Sequence, residues 1–395
     1  MEKVRLEDIG TFYTGLSGKS KEDFSDGNAL FVTYRNIYSN PVLNPNISDT
    51  VVIGKNEKQN EVLLGDILFT GSSETPEDAG MSSVVLNKPK GKMYLNSFCF
   101  GFRINDFNEV IPSYLGHLLR SPSIRAAISR TAFGVTRFNI NKKKFAEIEI
   151  PLPPLAVQQE IVSVLDSFTS LIEKMKEEVA LRKKQLEYYR DRLLSFKQGE
   201  YEWKTLDELF FIKNGINKEK KDFGKGTPII NYVDVYKKRG LHKEDIKGLV
   251  NSNESELMRY KCKKGDVFFT RTSETKEEVG FPAVLLDDIE NCVFSGFVLK
   301  ATPITNLLDI QYCKYCFFTY EFRKEVIKRA TLTTRALTNA ASLSKISIPV
   351  PPLDQQHHIA STLDLFETYI TKMERLIELR QKQYEYYRDK LLTFE

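Results

Sequence analysis

The sequence predicts two mixed α/β domains, called heads here, joined by two long helices that pack antiparallel as a coiled coil. The first observation is an internal repeat: residues 151–196 and 349–394 match, and 12 of their last 16 positions are identical. The second is a heptad pattern in both copies of this segment. The third is the interleaving of strand-like and helix-like stretches before each copy.

The repeat divides the chain into four segments. We predict a first head over 1–150, a helical segment over 151–198, a second head over 199–348 and a second helical segment over 349–395. A length of 395 residues suits two domains plus the helices. The two copies predict a pseudo-twofold internal symmetry.

Both helical segments open with a proline pair and continue as heptads. Pro153-Pro154 and Pro351-Pro352 mark the helix starts, because proline is tolerated only in the first turn of a helix. Apolar residues then recur in strict 4-3 alternation through about five heptads. A stripe this narrow is typical of a coiled-coil seam rather than of a globular surface helix.

One seam position is charged in both copies, as Arg182 and Arg380. A charge in a seam needs a partner. Two interpretations stay open: the guanidinium groups reach a nearby Glu or Asp, or the arginines fix the register of the helix pair.

The connections of the second head predict how the helices pack. This head begins directly after the first helix and ends directly before the second. It must therefore contact the C-terminal end of one helix and the N-terminal end of the other, which requires antiparallel helices. The same argument predicts that Met1 lies close to Glu395.

An aromatic surface recurs near the end of each helix. A two-helix seam cannot bury tyrosines at adjacent positions, so we predict that another protein covers this surface. The predicted partner-binding residues are Tyr188, Tyr189, Arg190, Tyr386, Tyr387 and Arg388.

Within the heads, matching segments follow one another in the same order. Strands are predicted at 30–34 and 229–233, each followed by a turn that carries aromatic residues. Amphipathic helices are predicted at 112–132 and 307–330. Polar segments containing Thr136-Arg137 and Thr334-Arg335 then lie at equal distances before the helical repeats.

The clearest match between the heads is a turn, a strand and a hydroxyl-rich loop. Its sequence is GDILFTGSSET at 65–75 and GDVFFTRTSET at 265–275. The frame is shared, but the centre is Gly71-Ser72 in one head and Arg271-Thr272 in the other. A shared frame with different polar tips is what two modules that recognise different sequences would show.

Basic residues are concentrated at the same place in each head, although the formal net charge is only +4. No acidic residue lies between Glu109 and Glu147, or between Glu325 and Asp354. Recurrence in both copies favours phosphate contacts over an ordinary solvated face. The basic residues of these segments are Arg120, Arg125, Arg130, Arg137, Lys142, Lys143, Lys144, Lys328, Arg329, Arg335 and Lys345.

The sequence gives little support for a catalytic function. The segment GLSGKS at 15–20 lacks the first glycine of a phosphate-binding loop, and Cys313-x-x-Cys316 lacks a second ligand pair at zinc spacing. No apolar run suits a membrane span, and the N-terminus is no signal peptide. The five cysteines show no pairing pattern, which predicts a reducing, cytoplasmic setting.

The duplicated PPL-x-x-Q-x-x-I followed by a heptad helix and YYRD(R/K)LL resembles the specificity subunit of a Type I DNA restriction–modification system. The resemblance covers essentially the whole chain. It implies that the heads are target-recognition domains and that the helices separate them and dock modification subunits and restriction/translocase subunits. Methylation and cleavage would belong to those partner chains, which would carry S-adenosylmethionine, ATP and Mg²⁺. This chain would hold no cofactor and no metal and would not be an enzyme.

The candidate DNA contacts rest on the comparison of the two heads. Each head would contact a few base pairs of double-stranded DNA in the major groove, so the target would be asymmetric and bipartite. Arg271 can bind a guanine through two hydrogen bonds and is the leading base contact. The hydroxyl residues beside this loop are Ser72, Ser73, Thr272 and Ser273. The candidate phosphate contacts are Arg137, Arg335, Lys142, Lys143 and Lys144.

Two other functions fit parts of the pattern. A stand-alone nuclease or methyltransferase would cut or methylate DNA by itself, and the absent motifs argue against it. A coiled-coil adaptor that bridges two partner proteins without binding DNA would explain the symmetry equally well. It would not explain the recurrent basic segments.

Overall fold

The computed structural model of the chain describes residues 3–197 and 199–394 and divides into two units. Unit 1 comprises Met1–Lys176 with Arg375–Glu395, and unit 2 comprises Glu177–Glu374. Each unit contains one head and half of each long helix. The predicted fold class, two mixed α/β heads plus long helices, is confirmed. The predicted proximity of Met1 to Glu395 lies outside the described residues.

Within residues 3–197, the first head and its helix contain twelve strands and six α-helices. The strands are β1 (Lys3–Arg5), β2 (Gly10–Thr14), β3 (Ala29–Val32), β4 (Thr50–Val51), β5 (Ile67–Thr70), β6 (Ser72–Ser73), β7 (Ser82–Val84), β8 (Met93–Leu95), β9 (Cys99–Ile104), β10 (Ala132–Phe133), β11 (Phe138–Ile140) and β12 (Glu149–Pro151). The helices are α1 (Leu6–Ile9), α2 (Tyr34–Ser39), α3 (Pro112–Leu118), α4 (Pro122–Ser129), α5 (Lys142–Ala146) and the long α6 (Leu155–Leu193).

The second head repeats this succession with small additions. Its strands are β13 (Glu202–Thr205), β14 (Phe210–Asn214), β15 (Phe223–Ile230), β16 (Gly240–Leu241), β17 (Leu249–Val250), β18 (Val267–Thr270), β19 (Thr272–Ser273), β20 (Pro282–Leu285), β21 (Val293–Phe294), β22 (Val298–Pro303), β23 (Thr331–Leu332), β24 (Ala336–Leu337) and β25 (Ser347–Val350). Its helices are α7 (Leu206–Leu209), α8 (Tyr232–Lys237), α9 (Glu254–Tyr260), α10 (Ile310–Cys316), α11 (Tyr320–Arg329), α12 (Ala340–Ser344) and the long α13 (Leu353–Leu392).

The sheets have corresponding strand orders in the two heads. The main sheet is β2-β9-β5-β7 in the first head and β14-β22-β18-β20-β16 in the second. A small three-stranded sheet pairs the strand of the hydroxyl-rich loop with two strands near the end of the head. Its order is β10-β11-β6 in the first head and β19-β24-β23 in the second. A third sheet is β4-β3-β8 or β17-β15-β21, and a two-stranded sheet, β1-β12 or β13-β25, pairs the first and last strands of each head.

Aromatic side chains from the main sheet and from the helices beside it pack together in each core. In the first head, Phe69 stacks on Phe100 at 5.1 Å between ring centroids and meets the edge of Phe145 at 5.0 Å. In the second, Phe269 meets Phe317 at 5.4 Å. These rings are fully buried, and burying each stabilises the head by about 1.5–3 kcal/mol.

The prediction of a single amphipathic helix at 112–132 and at 307–330 is wrong, because two helices occupy each of these ranges. Pro122 restarts the helix in the first head, since proline has no N–H to continue the preceding turns. In the second head the Thr319 hydroxyl accepts from the Phe322 N–H at 3.3 Å and caps a new helix there.

The strands predicted at 30–34 and 229–233 end earlier in the structure. The Thr33 hydroxyl caps α2 by accepting from the Asn36 N–H at 3.3 Å. The Asp234 carboxylate accepts from the Asn231 N–H at 2.8 Å at the start of α8. The aromatic residues that follow therefore lie on short helices and not in turns.

The two long helices pack antiparallel, as predicted from the connections. In unit 2, Lys183 pairs with Glu374 at 2.7 Å, and further along α6 Tyr189 stacks on Phe366, which precedes Glu374 on α13. In unit 1, Phe168 in the first half of α6 stacks on Tyr387 near the end of α13.

Both seam arginines bind polar side chains of their own helix. Arg182 donates to Glu178 at 2.8 Å and to Gln185 at 2.7 Å. Arg380 donates to Gln383 at 2.6 Å. Each guanidinium group therefore has a hydrogen-bond partner on its own helix. For Arg182 this partner includes a glutamate, as the interpretation of a nearby Glu or Asp predicts.

A buried glutamine explains the Gln-x-x-Ile of the repeat. The Gln158 side chain is fully buried. Its amide donates to the carbonyls of Glu109 and Pro153, both at 2.8 Å, and accepts from the Ile111 N–H at 2.9 Å. The side chain therefore ties the first turn of α6 to the loop that precedes α3.

The second unit contains the same arrangement. Gln356 donates to the carbonyls of Leu307 and Pro351 at 2.8 and 2.7 Å and accepts from the Asp309 N–H at 2.8 Å. We call this contact the glutamine clip. It fixes the direction in which each helix leaves its head.

No helix in the described parts of the chain combines the length and the apolar character needed to cross a membrane.

We predict that Gln356→Met lowers the free energy of unfolding of unit 2 by about 3 kcal/mol, because three buried backbone groups lose their partner. Trp203, the only tryptophan, lies in this unit on β13, so urea unfolding followed by its fluorescence measures the effect. Gln355→Met is the matched control. Gln355 accepts a single hydrogen bond, from the Tyr201 hydroxyl, and its loss should cost below about 1 kcal/mol. Equal losses in the two variants would contradict the clip.

Candidate nucleic-acid interface

The shared frame of the two heads is a turn that enters a buried strand. Gly65 and Gly265 have φ values of 87° and 90°, a left-handed conformation that glycine adopts without strain. The strands β5 and β18 that follow are buried at every residue. One residue after β5 or β18, the chain enters a short strand of the small sheet, β6 or β19. The start of the hydroxyl-rich loop is therefore fixed by strands of two sheets.

The small sheets bring together segments that lie far apart in the sequence. In the first head β6 pairs with β11, with Ser72 opposite Asn139 and Ser73 opposite Phe138. In the second head β19 pairs with β24, which follows Arg335 directly. The predicted hydroxyl and arginine residues therefore lie side by side in each head.

Each head has an open hollow at this place, lined by six matching positions. The first hollow is lined by Tyr34, Ser72, Ser73, Glu74, Phe98 and Arg137. The second hollow is lined by Tyr232, Thr272, Ser273, Glu274, Phe297 and Arg335.

Arg137 is held at the edge of the first hollow. Its Nε donates to the Ser72 hydroxyl at 3.0 Å, and its guanidinium lies 5.4 Å from the centre of the Phe98 ring. The Tyr34 hydroxyl donates to the Ser72 carbonyl at 2.8 Å. The arrangement presents a positive charge beside Ser73 and an exposed aromatic ring, whereas Ser72 is itself buried. Such a surface suits phosphates and base edges.

Arg271 takes the place of Gly71 in the second head. Its guanidinium donates to the Gly296 carbonyl at 3.2 Å, and its backbone N–H donates to the Phe297 carbonyl at 3.0 Å. The first head cannot place a side chain there without a shift, because a Cβ on Gly71 would lie 2.6 Å from the Phe98 carbonyl oxygen. The two hollows therefore differ in shape as well as in charge.

The predicted lysine contacts lie on α5, which begins two residues after β11. Lys142, Lys143 and Lys144 are all exposed. The Lys142 ammonium lies 5.4 Å from the centre of the Phe100 ring, and the Asn141 side chain caps the helix by accepting from the Lys144 N–H. In the second head, the corresponding α12 carries no lysine.

The sequence comparison missed the aromatic walls of the hollows. Tyr34 stacks on Tyr38 at 6.0 Å, and Tyr232 stacks on Tyr236 at 5.6 Å in the other head. The tyrosine pairs recur at a spacing of four in both heads, a signal that the sequence contains. Phe98 and Phe297 carry no comparable signal, because a phenylalanine after a strand is usually part of the core.

A second carboxylate lies at this place in each head, in addition to Glu74 and Glu274. Asp78 lines the first hollow and accepts from the Thr75 hydroxyl at 2.9 Å. Glu278 accepts from the Tyr236 hydroxyl and the Ser273 hydroxyl, both at 3.0 Å. The hydrogen bond from Tyr236 lowers the pKa of Glu278, and the Asp78 charge raises the pKa of Tyr38.

Several arginines of the basic segments stabilise the fold instead of facing solvent. Arg125 donates to the carbonyls of Glu77, Ala79 and Gly80 at 2.6–2.7 Å. Arg120 donates to the Ser82 carbonyl at 2.7 Å, and burial lowers the pKa of Arg120 to about 10. The interpretation of the whole segment as phosphate contacts is therefore wrong for these two residues.

The second head shows the same division. Arg323 donates to the carbonyls of Glu277, Val279 and Gly280 at 2.7–2.9 Å, and burial lowers its pKa to about 10. Arg323 precedes Glu325 and so lies outside the acid-free segment, although it matches Arg125 in the repeat. Lys328 and Arg329, inside that segment, both pair with Glu325.

The predicted partner-binding residues divide between the seam and the surface. Tyr189 and Tyr387 stack on phenylalanines of the opposite helix. Arg190 and Arg388 donate to the neighbouring Asp191 and Asp389 and are largely buried. Tyr188 and Tyr386 are exposed by 59% and 61%.

Other sequence candidates serve the fold. Lys19, in the segment that resembles a phosphate-binding loop, pairs with Glu57 at 2.6 Å and lowers the pKa of that carboxylate to about 2. Cys313 and Cys316 are free thiols buried on α10. Among the described residues, no group of three or more His, Cys, Asp or Glu is placed to hold a metal ion.

Comparisons with known proteins identify relatives over most of the chain. A model of the Type I restriction modification DNA specificity domain matches residues 1–181 and again 198–381. The specificity subunit of the Type I restriction enzyme EcoR124I/EcoR124II of Escherichia coli is 35% identical over 280 residues. The alignment covers 65% of this chain and 64% of that subunit, so it spans just under two thirds of the relative.

Two solved structures share the fold at low sequence identity. The S subunit of a Type I restriction-modification system from M. genitalium has a TM-score of 0.55 and 14% identity, with 100% of this chain and 96% of that chain covered. A chain from a structural study of complex assembly and conformational transition of the type I R-M system has a TM-score of 0.62 and 16% identity. The match covers 99% of this chain and 97% of that chain.

Proposed function

This chain belongs to the Type I restriction-modification DNA specificity family, and we propose that it recognises a bipartite, asymmetric DNA target for a multisubunit methyltransferase or endonuclease. Each head would contact one half of the target. The observation that carries this proposal is the pair of matching hollows, which share a frame and nearly the same lining. The loop beside each hollow differs, with Gly71 in one head and Arg271 in the other.

The differences between the hollows support an asymmetric target. The loop beside the first hollow has Gly71 and Ser72 where the loop beside the second has Arg271 and Thr272. An arginine can donate two hydrogen bonds to O6 and N7 of guanine, whereas a serine can bond several base edges. Arg137 and Arg335 occupy the same place in both heads and suit the phosphates that any duplex presents.

The long helices support docking of partner chains. Leu181 and Tyr188 on α6 are exposed by 60% and 59%, and Leu379 and Tyr386 on α13 by 51% and 61%. Each pair is spaced by seven residues and lies on one helix face. Two matching patches suit two copies of one partner, which we propose to be modification subunits. Restriction/translocase subunits would join that complex.

We propose that the chain contributes recognition and no catalysis. S-adenosylmethionine, ATP and Mg²⁺ would bind to the partner subunits. The setting would be the cytoplasm, where the five buried thiols would stay reduced. A coiled-coil adaptor that never contacts DNA would also use the exposed patches on the helices, but it would have no use for two hollows with arginine at their edge.

We predict that Arg271→Ala costs ~1–3 kcal/mol of binding and relaxes one position of the target, because it removes a base contact. Arg335→Ala should instead weaken binding to all duplexes alike and lower the salt slope by about one, since it removes a phosphate contact. Titration of specific and random duplexes at several salt concentrations measures both effects.

Lys324→Ala is the control, because Lys324 is an exposed lysine of the same head paired only weakly with Glu321 at 3.9 Å. Uniform weakening by Arg271→Ala would make that residue a phosphate contact. No binding of any duplex by the wild-type chain with its partners would contradict the proposal itself.

We predict that Tyr188→Ala with Tyr386→Ala reduces affinity for the modification subunit at least tenfold, because exposed tyrosines often dominate the binding energy of an interface. Native mass spectrometry measures the number of modification subunits bound. Each single variant should lose one of two copies. Glu187→Ala, at an exposed neighbouring position, is the control, and full occupancy in the double variant would contradict this docking surface.

A further inference from the structure

Two carboxylates lie at each hollow: Glu74 or Glu274, which is exposed, and a second that is held by hydroxyl groups and is unexplained by phosphate binding. Asp78 lines the first hollow, and Glu278 occupies the matching position beside the second. DNA carries a dense negative charge, so a carboxylate at this surface weakens binding unless it meets a hydrogen-bond donor. Hydroxyl groups of the protein donate to both carboxylates, and recurrence at the same place in both heads is what a further donor on the DNA would require.

The carboxylates are held in place by their surroundings. The Tyr236 and Ser273 hydroxyls each donate to a different oxygen of Glu278 at 3.0 Å. The Thr75 hydroxyl donates to Asp78 at 2.9 Å. The turns that carry both residues are fixed in turn by the three carbonyl contacts of Arg125 and of Arg323. Each carboxylate is therefore oriented before any ligand binds.

Base edges in the major groove differ in what they offer to a carboxylate. An ionised carboxylate only accepts hydrogen bonds, and each oxygen that accepts one from a hydroxyl can accept another. Guanine presents two acceptors there, and adenine presents its donor beside an acceptor. Cytosine presents its N4 amino group as a donor alone. A fixed carboxylate is therefore complementary to cytosine.

We propose that Asp78 and Glu278 are specificity-determining residues that each accept a hydrogen bond from the N4 amino group of one cytosine in the half-site of their own head. This inference rests on the proposed DNA recognition. Tyr236 and Ser273 act as positioning residues that orient Glu278. The longer glutamate and the shorter aspartate place the acceptor at different depths, so the cytosine would occupy different positions in the two half-sites.

The test is selection of duplexes from a random-sequence DNA library by the full chain with its modification subunits. The wild-type motif should contain a C·G pair in each half. Glu278→Gln should reduce discrimination for one C·G pair roughly tenfold, in one half only, with affinity for random duplexes unchanged or raised, because the variant removes a negative charge. Asp78→Asn should do the same in the other half. Glu277→Gln, which removes an equal charge from an exposed neighbour, should leave the motif intact.

A selected duplex with N4-methylcytosine at that position provides an independent measurement. The methyl group keeps the base pair and occupies the position of the major-groove N–H, so wild-type affinity should fall by about the same factor. Glu278→Gln should no longer respond to the methyl group. Tyr236→Phe, which keeps the carboxylate but removes a positioning hydroxyl, should lose part of the discrimination at the same position.

Two outcomes would overturn the inference while leaving the proposed function intact. An unchanged motif in both carboxylate variants would show that the groups contact no base. Loss of every position in a half-site would show that the carboxylate only holds the loop. A wild-type chain that selects no motif at all would instead remove the proposed function.

Discussion

The glutamine clip is the contact on which the rest of each unit depends. One buried amide satisfies two carbonyls and one N–H that would otherwise be unpaired at the junction of the head and the long helix. Leaving such groups unpaired costs more than an average hydrogen bond contributes. The clip therefore fixes the angle between the head and its helix, and the same residue does so in both units.

A second constraint acts inside the heads, where sheet pairing holds the hydroxyl-rich loop against the segment that carries the exposed arginine. Because the frame is made of backbone pairs and buried strands, the side chains at its tips can change without altering the fold. Gly71 and Arg271 therefore occupy equivalent positions in one architecture, although a side chain at Gly71 would require a local shift of the Phe98 carbonyl. Recognition surfaces of different specificity can arise from one duplicated scaffold in this way.

Much of the fold followed from the repeat, since matched heptads and matched connections are properties of the sequence itself. The repeat did not predict that each late amphipathic helix is split in two. Pro122 marks the break in the first head, but the second head has no proline there and breaks its helix with a threonine cap. The strands before the tyrosines were predicted too long for a similar reason. A local cap ended each strand where apolar content alone would have continued it.

The candidate site was predicted in its parts but not in its assembly. Ser72 and Arg137 are both visible in the comparison of the heads, yet only the pairing of β6 with β11 places them 3.0 Å apart. Composition could not separate Arg125 from Arg137, because both are arginines in one acid-free segment. Burial decides between them: Arg125 binds three carbonyls, and Arg137 remains exposed at the hollow.

We propose that each head recognises its own half of the target through its hydroxyl-rich loop. Methylome sequencing of cells that carry this chain with its modification subunit is the measurement that tests this. The chain would be compared with a variant that has Arg271→Gly and Thr272→Ser, the residues of the first head. We expect a bipartite asymmetric methylation motif that changes in one half only. An unchanged motif, a change in both halves or the absence of any motif in the wild type would contradict it.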